Sequence, residues 1–308
     1  MTPRLVLTLL SVALSITLAA CVGAAPTAAP ITAPTSPPSP ATSTATEAVP
    51  VSTATSAAAN VKPLGVVAIG HSALTGYGSD PDRPDEDASE NSWATGTNPE
   101  VKSIYQHLLE VQPEIEGHVA NLAEGGAVAR QLASQAKQAL AVVPAPQLVI
   151  IATMDNDIRC DGSDDSNIPV FGRTLSDALN SIVEATPNSR ILIVSQVGRP
   201  AEYAAVVARN SDAKAMYQGN GICDMFNPDG TINQEHIDTL TSIVQLYEAE
   251  QARVCATFPQ CSTDGGALAT YQDSLGNLTS DWTHLTVPGQ AKLAEIIWPV
   301  VANLLSVH

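Results

Sequence analysis

The sequence predicts an α/β domain in which helices cover both faces of a central parallel sheet, that is, a three-layer α/β/α sandwich. Three observations favour this class. Short, continuous apolar runs rich in β-branched residues recur along the chain, as buried parallel strands require. Longer stretches with apolar residues at helical spacing lie between these runs. Glycines or polar residues follow the runs, where a strand gives way to a loop.

Strands and helices alternate along the predicted domain, which spans residues 63–308. The predicted strands are residues 65–70, 119–123, 147–153 and 190–197. The predicted helices are one that begins at 98–100 and then 128–142, 174–185, 235–256 and 288–305, with a kink expected at Pro299. Repeated strand–helix units of this kind predict a flavodoxin-like parallel sheet.

Residues 1–21 have the pattern of an export signal. Arg4 precedes an apolar run that is too short for a stop-transfer helix, and the run ends in Leu18-Ala19-Ala20-Cys21. This tetrad resembles the bacterial lipobox, in which the Cys becomes the lipid-modified amino terminus. An ordinary secretory cleavage with Cys21 incidental is the alternative. Both predict an exported protein, and lipid on Cys21 would anchor it to the outer face of a bacterial membrane.

Residues 22–62 predict a disordered linker. They are almost wholly Ala, Pro, Thr, Ser and Val, with Glu47 and Lys62 as the charged side chains. Such a segment cannot bury enough apolar surface to offset its chain entropy, so we expect it to hold the domain away from the membrane.

The charge balance excludes some partner classes. The chain has 14 basic and 31 acidic residues and a formal net charge of −17, which argues against binding nucleic acid or an anionic membrane surface. We therefore expect contact with a membrane only through the lipid anchor, and we also expect a monomer.

The five cysteines fit an oxidising compartment. If Cys21 carries lipid, four remain, and they allow three pairings. The short separation of Cys255 and Cys261 favours that pair and leaves Cys160 with Cys223. Since no C-x-x-C spacing occurs, we expect no zinc site.

A serine follows the first predicted strand directly, in Gly70-His71-Ser72. Ligands bind beyond the carboxyl ends of strands in open α/β sheets, so the Ser72 hydroxyl would lie at the mouth of a site. The alternative is an ordinary serine that caps the following turn.

An aspartate lies three residues before a histidine in Asp281-Trp282-Thr283-His284. The Asp281 carboxylate can accept from Nδ1–H of His284 and leave Nε2 free to take a proton, which is what a serine nucleophile needs. The alternative is an aspartate at a helix start beside an exposed histidine.

Two further stretches follow strands two and three. Gly126 lies in a strand-to-helix turn, where a glycine lets backbone N–H groups face a ligand. Asn156 follows the third strand, where its amide can donate to a developing oxyanion. Each stretch could also be ordinary turn chemistry.

Together these stretches resemble the conserved blocks of the SGNH hydrolases, also called the GDSL-type esterase family, across residues 65–305. The four matching stretches occur in the family's order: Gly70-His71-Ser72, Asn121-Leu122-Ala123-Glu124-Gly125-Gly126-Ala127, Met154-Asp155-Asn156-Asp157, and Asp281-Trp282-Thr283-His284 with Pro288-Gly289 following. The resemblance implies the SGNH variant of the flavodoxin-like fold and an ester hydrolase.

The resemblance also implies roles for the matched residues, without a metal or an organic cofactor. Ser72 would be the nucleophile, His284 the general base and then acid, and Asp281 the residue that orients His284. The oxyanion hole would consist of the Ser72 and Gly126 backbone N–H groups and the Asn156 amide.

Two residues depart from the family pattern. The usual Gly-Asp-Ser is Gly70-His71-Ser72 here, and Asp155 replaces the Gly usual before the Asn. The missing Asp is not the triad residue, but it normally supports the nucleophile turn. We hypothesise a compensating exchange in which the Asp155 carboxylate contacts the His71 imidazole across neighbouring strand ends.

The expected substrate is a carboxylic ester with a short acyl chain, since no long apolar insertion offers a lipid tunnel. An acylated polysaccharide or another small acyl ester at the cell surface is the expected class. Trp93, after the acidic loop 80–90, is expected to line the cleft. Two alternatives stay open: a non-catalytic binding lipoprotein, favoured by His71 beside Ser72, and an O-acyltransferase.

Overall fold

The computed structural model describes residues 62–219 and 221–307. The predicted export segment 1–21, its Cys21 and the predicted linker as far as residue 61 lie outside the described residues. Within the described ranges, no helix is both long enough and apolar enough to span a membrane.

A five-stranded, all-parallel sheet forms the centre of the domain. Its strands are β1 Val66–Gly70, β2 Val119–Asn121, β3 Leu148–Ala152, β4 Arg190–Ile193 and β5 Cys261–Thr263. Their order across the sheet is β2-β1-β3-β4-β5, which is the flavodoxin-like order. The predicted fold class is therefore confirmed.

Seven α-helices flank the sheet in the described part of the chain. They are α1 Ile104–Val111, α2 Leu132–Val142, α3 Asp164–Ala185, α4 Pro200–Val207, α5 Ser211–Met216, α6 Gln234–Cys255 and α7 Val287–Leu305. The side chains of β1 point alternately to two cores because successive strand residues face opposite sides. Val66 and Ala68 pack with α1, α4 and α7, whereas Val67 and Ile69 pack with α2, α3 and α6.

The first helix begins later than predicted. The Asn98 side chain accepts the Glu100 N–H at 2.9 Å and forms a local turn instead of a helix cap. Ser103 is the actual N-cap, because its Oγ accepts the Gln106 N–H and the Gln106 side chain accepts the Ser103 N–H. The prediction of a start at residues 98–100 was therefore wrong.

Helix α3 begins ten residues earlier than predicted, at Asp164 rather than residue 174. Pro169 and Gly172 lie inside it, and both disfavour a helix interior in an isolated sequence. Gly172 has a tertiary role, because a Cβ there would lie 1.6 Å from Glu250 Oε1 on α6. The Glu250 side chain therefore occupies the space that the missing Cβ of Gly172 leaves between α3 and α6.

Three elements were not predicted at all: α4, α5 and β5. Strand β5 has three residues, none of them fully buried, and it exists because its backbone pairs with Ile191, Leu192 and Ile193 of β4. The fourth strand ends at Ile193, four residues earlier than predicted. Periodicity cannot identify so short and polar a strand.

Both predicted disulfides are present. Cys255–Cys261 joins the end of α6 to the start of β5. Cys160–Cys223 closes a sequence separation of 63 residues and joins the loop after β3 to the segment between α5 and α6. Since Asn156 lies in that loop, the second disulfide restrains a predicted site segment.

Gly70, the last residue of β1, should be highly sensitive to substitution. Its φ is +131°, and a Cβ there would lie 1.8 Å from the Ala152 carbonyl oxygen of β3. We expect Gly70→Ala to destabilise the domain by about 3 kcal/mol, at the upper end for single substitutions. For a domain of this size, that lowers the melting temperature by about 6–12 °C.

Gly125→Ala is the matched control for thermal unfolding. A Cβ at Gly125 meets no atom within 4 Å. We expect its melting temperature to stay within about 2 °C of the native value. Equal melting temperatures for the two variants would contradict the steric account of Gly70.

Candidate active site

The predicted site residues converge beyond the carboxyl ends of the central strands. Ser72 opens a 3₁₀ turn, Ser72–Leu74, directly after β1, and Asn156 follows β3. Both line a cavity of about 280 Å³, and His284, from the loop before α7, lines the same cavity. The structure thus brings together three residues from a span of 212 positions in the chain, from Ser72 to His284.

The turn that contains Ser72 is held from three sides. The buried Gln135 side chain of α2 accepts the Gly70 N–H at 2.7 Å and donates to the Gly70 carbonyl at 3.0 Å. The His71 Nδ1 accepts the Ala73 N–H at 3.2 Å. Trp93 Nε1–H donates to the Ala73 carbonyl at 2.8 Å. These contacts give Ser72 a defined place at the cavity edge.

Trp93 does not line this cavity, contrary to expectation. Its side chain is fully buried in the core that contains Val66. Its backbone N–H donates to the Gln290 side chain of α7 at 3.1 Å. An indole of this size with a polar N–H is often buried where that N–H finds a partner, as it does at Ala73.

Asp281 and His284 form the predicted pair. The Asp281 Oδ2 lies 2.6 Å from His284 Nδ1, and its Oδ1 accepts the His284 backbone N–H at 3.0 Å and the Thr279 hydroxyl at 2.6 Å. A carboxylate at Nδ1 keeps the ring proton on that nitrogen. Nε2 is therefore the basic nitrogen of His284.

The Asp281 charge is strongly favoured. Partial burial opposes ionisation, but the hydrogen bonds from the His284 ring, the Thr279 hydroxyl and the backbone amides of His284 and Thr283 outweigh it. They hold the pKa of Asp281 well below the usual carboxyl range. Asp281 is consequently an anion at neutral pH, and its carboxylate fixes the orientation of the His284 ring.

The turn between Asp281 and His284 has an unusual backbone that two tyrosines support. Trp282 has a φ of +56°, which non-glycine residues rarely adopt. Its carbonyl accepts hydrogen bonds from the hydroxyls of Tyr203, in α4, and Tyr217, directly after α5. Burial raises the pKa of both hydroxyls, so both remain donors. The α4–α5 segment therefore helps to hold the turn.

Asn156 is oriented by the Gly126 turn, although Gly126 itself is exposed and does not line the cavity. The Asn156 Nδ2 donates to the Ala127 carbonyl at 3.0 Å. An amide nitrogen has two hydrogens, so this contact fixes the group and leaves a second donor. The adjacent Asp157 accepts the Ala129 N–H at 2.9 Å, which ties the same two segments together.

The two residues that depart from the family pattern are in contact. His71 Nε2 lies 3.1 Å from Asp155 Oδ2, within the hydrogen-bonding distance that the exchange hypothesis requires. The His71 side chain is 6% exposed and that of Asp155 is 31% exposed. The other Asp155 oxygen accepts from the Gln196 side chain at 3.0 Å.

Several cavity residues were not identified from the sequence. The polar ones are Gln196, Arg199, Tyr203, Tyr217, Asp273 and Thr283, and the apolar ones include Val197, Pro200, Met225, Leu240, Leu285 and Leu293. Arg199 follows the predicted fourth strand, so its position could have identified it, whereas Gln196 lay inside that predicted strand and follows only the shorter β4 of the structure. Tyr203 and Tyr217 belong to the unpredicted α4–α5 segment and had no such indication.

Comparisons with known proteins identify the family of the chain. The family model for the GDSL-like lipase/acylhydrolase matches residues 66–297. The comparison with curated proteins gives no match. Among solved structures, the chain is similar to an extracellular lipase from Streptomyces rimosus, at 15% identity and a TM-score of 0.49, over 78% of this chain and 99% of that one.

Two other solved structures have comparable similarity. One is phospholipase A1 from Streptomyces albidoflavus, at 14% identity and a TM-score of 0.46, over 79% of this chain and 99% of that one. The other is a family two carbohydrate esterase from Clostridium thermocellum, at 14% identity and a TM-score of 0.46, over 80% of this chain and 66% of that one. Because the family model spans most of the sequence, the chain belongs to the GDSL-like lipase/acylhydrolase family and is an ester hydrolase.

Proposed function

We propose that the protein is an exported serine esterase that hydrolyses small, neutral carboxylic esters with a short acyl group, through Ser72, His284 and Asp281. One observation carries the proposal: the Asp281 carboxylate holds His284 Nδ1 at 2.6 Å while His284 and Ser72 line the same cavity. An oriented base in the same cavity as a serine hydroxyl is what nucleophilic acyl transfer needs.

In the acylation step, Ser72 Oγ attacks the carbonyl carbon while His284 Nε2 takes the hydroxyl proton. The carbonyl oxygen becomes an oxyanion and is stabilised by the Ser72 N–H and the Asn156 amide, which line the cavity, whereas Gly126 lies outside it and acts by orienting Asn156 through its turn. His284 then gives its proton to the departing alkoxide, which leaves as the alcohol. Water repeats the sequence on the acyl-enzyme, releases the carboxylic acid and restores Ser72.

The size and charge of the cavity support a small, neutral substrate. A cavity of about 280 Å³ is at the small end for small-molecule sites, which suits a small ester. Asp155 and Asp273 lie in the wall with Arg199, whose guanidinium is already paired with Glu248 at 2.8 Å. Burial raises the pKa of Asp273. A buried carboxyl group of this kind can form a hydrogen bond with a substrate hydroxyl, whereas an anionic substrate would be unfavourable beside it.

Export and lipid anchoring at Cys21 are part of the proposal. Two disulfides favour an oxidising compartment outside the cytoplasm. An acylated polysaccharide at the cell surface is the corresponding natural substrate class. An O-acyltransferase would use the same acyl-enzyme but pass the acyl group to a sugar or alcohol instead of water.

The test compares kcat/KM for nitrophenyl acetate, butyrate and octanoate. In a second experiment, the protein is treated with a fluorophosphonate reagent and mass spectrometry identifies the residue that the reagent has modified. We expect kcat/KM for acetate or butyrate to exceed that for octanoate by about tenfold or more, and the label to lie on Ser72. A folded protein without turnover or label would favour the binding-lipoprotein alternative. Acyl transfer to added glycerol in preference to water would favour the acyltransferase.

A further inference from the structure

His71 and Asp155 each lie one residue before a proposed oxyanion donor. His71 precedes Ser72, whose backbone N–H is one donor, and Asp155 precedes Asn156, whose amide is another. Their contact of 3.1 Å between Nε2 and Oδ2 therefore connects two segments that must approach the same substrate oxygen.

Hydrogen bonding determines which His71 nitrogen is protonated. The Ala73 N–H donates to Nδ1 at 3.2 Å, so Nδ1 has no hydrogen of its own. The proton of the neutral ring is then on Nε2, and it points to the Asp155 carboxylate. One ring thus supports the Ser72 turn with one nitrogen and holds Asp155 with the other.

Asp155 is also held from the next strand. Gln196, which follows β4, donates from its side chain to Asp155 Oδ1 at 3.0 Å. The backbone N–H of Gln196 donates to Glu248 of α6 at 3.2 Å, and Arg199 pairs with the same carboxylate. The carboxylate of Asp155 is therefore a fixed point between the ends of β1 and β4.

The contact lies where the sheet stops restraining the backbone. The pairing of β1 with β3 ends at Gly70 and Ala152, and the His71 N–H donates to the Ala152 carbonyl at 3.1 Å. Beyond this point the two segments turn away into loops. Within the sheet, backbone pairing sets the distance between β1 and β3. Beyond the strand ends, the side-chain contact between His71 and Asp155 sets the distance between the two segments.

The same contacts reduce an electrostatic problem. A free carboxylate beside an oxyanion hole opposes the negative charge that develops on the substrate oxygen. His71 Nε2–H and the Gln196 side chain each donate to one oxygen of Asp155, and these hydrogen bonds partly offset its charge.

We propose, on the basis of the serine-esterase function above, that His71 and Asp155 are a positioning pair that sets the separation of the Ser72 N–H and the Asn156 amide. Neither residue reacts with the substrate. Removing the contact should weaken binding of the transition state more than binding of the ester, because only the tetrahedral oxyanion needs both donors at once.

The test is a double-mutant cycle in the full chain. His71→Asn keeps a side-chain acceptor for the Ala73 N–H but is too short to reach Asp155, and Asp155→Ala removes the other partner. We expect each variant to lower kcat by about 10- to 100-fold, as for a small misplacement of catalytic groups, with KM changed by less than about threefold. The double variant should lose no more than the worse single variant, since all three lack the same contact.

Two further measurements distinguish positioning from a general structural defect. Asp155→Asn retains an oxygen that can accept from His71, and we expect it to keep kcat within about fivefold of the native value. The inhibition constant of a trifluoromethyl ketone, whose adduct contains the oxyanion, should rise in proportion to the loss of kcat/KM. His118→Asn, the same substitution at an exposed histidine, should leave both quantities unchanged.

The outcomes separate this proposal from the proposed function. Native turnover with the label on Ser72, together with undiminished kcat in His71→Asn and Asp155→Ala, would overturn the positioning pair alone. Additive losses in the double variant, or an effect confined to KM, would also overturn it. Absence of native turnover would overturn the serine-esterase function and the positioning pair with it.

Discussion

Ser72→Ala should reduce kcat for nitrophenyl acetate by about 10⁶-fold, as loss of the nucleophile does in other serine hydrolases. The variant keeps the backbone N–H of residue 72, so the oxyanion hole stays intact, but no acyl-enzyme can form. Because Ser72 lies in a turn held by Gln135, His71 and Trp93, removing one hydroxyl should not disturb the fold. Steady-state kinetics and a thermal unfolding curve check both statements.

Ser89→Ala is the matched control for this variant. Ser89 also begins a 3₁₀ turn, Ser89–Asn91, but its side chain is exposed and does not line the cavity. Its kcat should equal the native value. Residual activity in Ser72→Ala above about one thousandth of native would show that Ser72 is not the nucleophile.

Asp281→Asn should lower kcat by about 10⁴-fold with little change in KM. The Asn oxygen can still accept from Thr279 and from the His284 backbone, but the amide nitrogen takes the place of Oδ2. It then donates to His284 Nδ1, and the ring proton moves to Nε2. In that tautomer His284 cannot take the Ser72 proton. The decrease in kcat at pH 7 is the measurement.

The depressed pKa of Asp281 also predicts a pH-dependent contribution to stability. Because the folded-state pKa lies below the unfolded value of about 3.9, the stabilisation is fully present above that value. It is lost as the pH falls through this value towards the lower folded-state pKa. The difference in melting temperature between native protein and Asp281→Asn should therefore shrink as the pH falls from 5 to 2.

Asp229→Asn is a close control for Asp281→Asn. The Asp229 carboxylate also accepts a backbone N–H and a hydroxyl, both from Thr231, but in an exposed turn that does not line the cavity. We expect native kcat in this variant at every pH. A similar loss of activity in both variants would mean that the carboxyl substitution acts through global charge and not through His284.

Much of the sheet could be predicted because its central strands are continuous apolar runs. Val66–Gly70 and Leu148–Ala152 are buried throughout, and such strands are recognisable without any partner. Strand β5 and helices α4 and α5 were missed because their apolar patterns are too short. The start of α3 was missed because Pro169 and Gly172 indicate an interruption, whereas packing against α6 overrides both.

The site was predictable to the extent that its residues follow strands or form a local pair. Ser72 and Asn156 directly follow β1 and β3, and Asp281 is three residues from His284. Gln196, Tyr203 and Tyr217 were missed, since what they contact comes from distant parts of the chain. The prediction that Trp93 lines the cleft was wrong. An aromatic residue near a loop can lie either in a cleft or in the core, and only the packing of the folded chain decides between the two.

The fold class, the parallel sheet, the Cys255–Cys261 disulfide and the local Asp281–His284 unit follow from the sequence alone. These depend on hydrophobic periodicity and short separations, which are properties of neighbouring residues. The tertiary structure alone decided the distance between His71 and Asp155, the tyrosine contacts to the Trp282 carbonyl and the size of the cavity. Those features arise between residues that are far apart in the chain, and their geometry exists only once the helices have packed on the sheet.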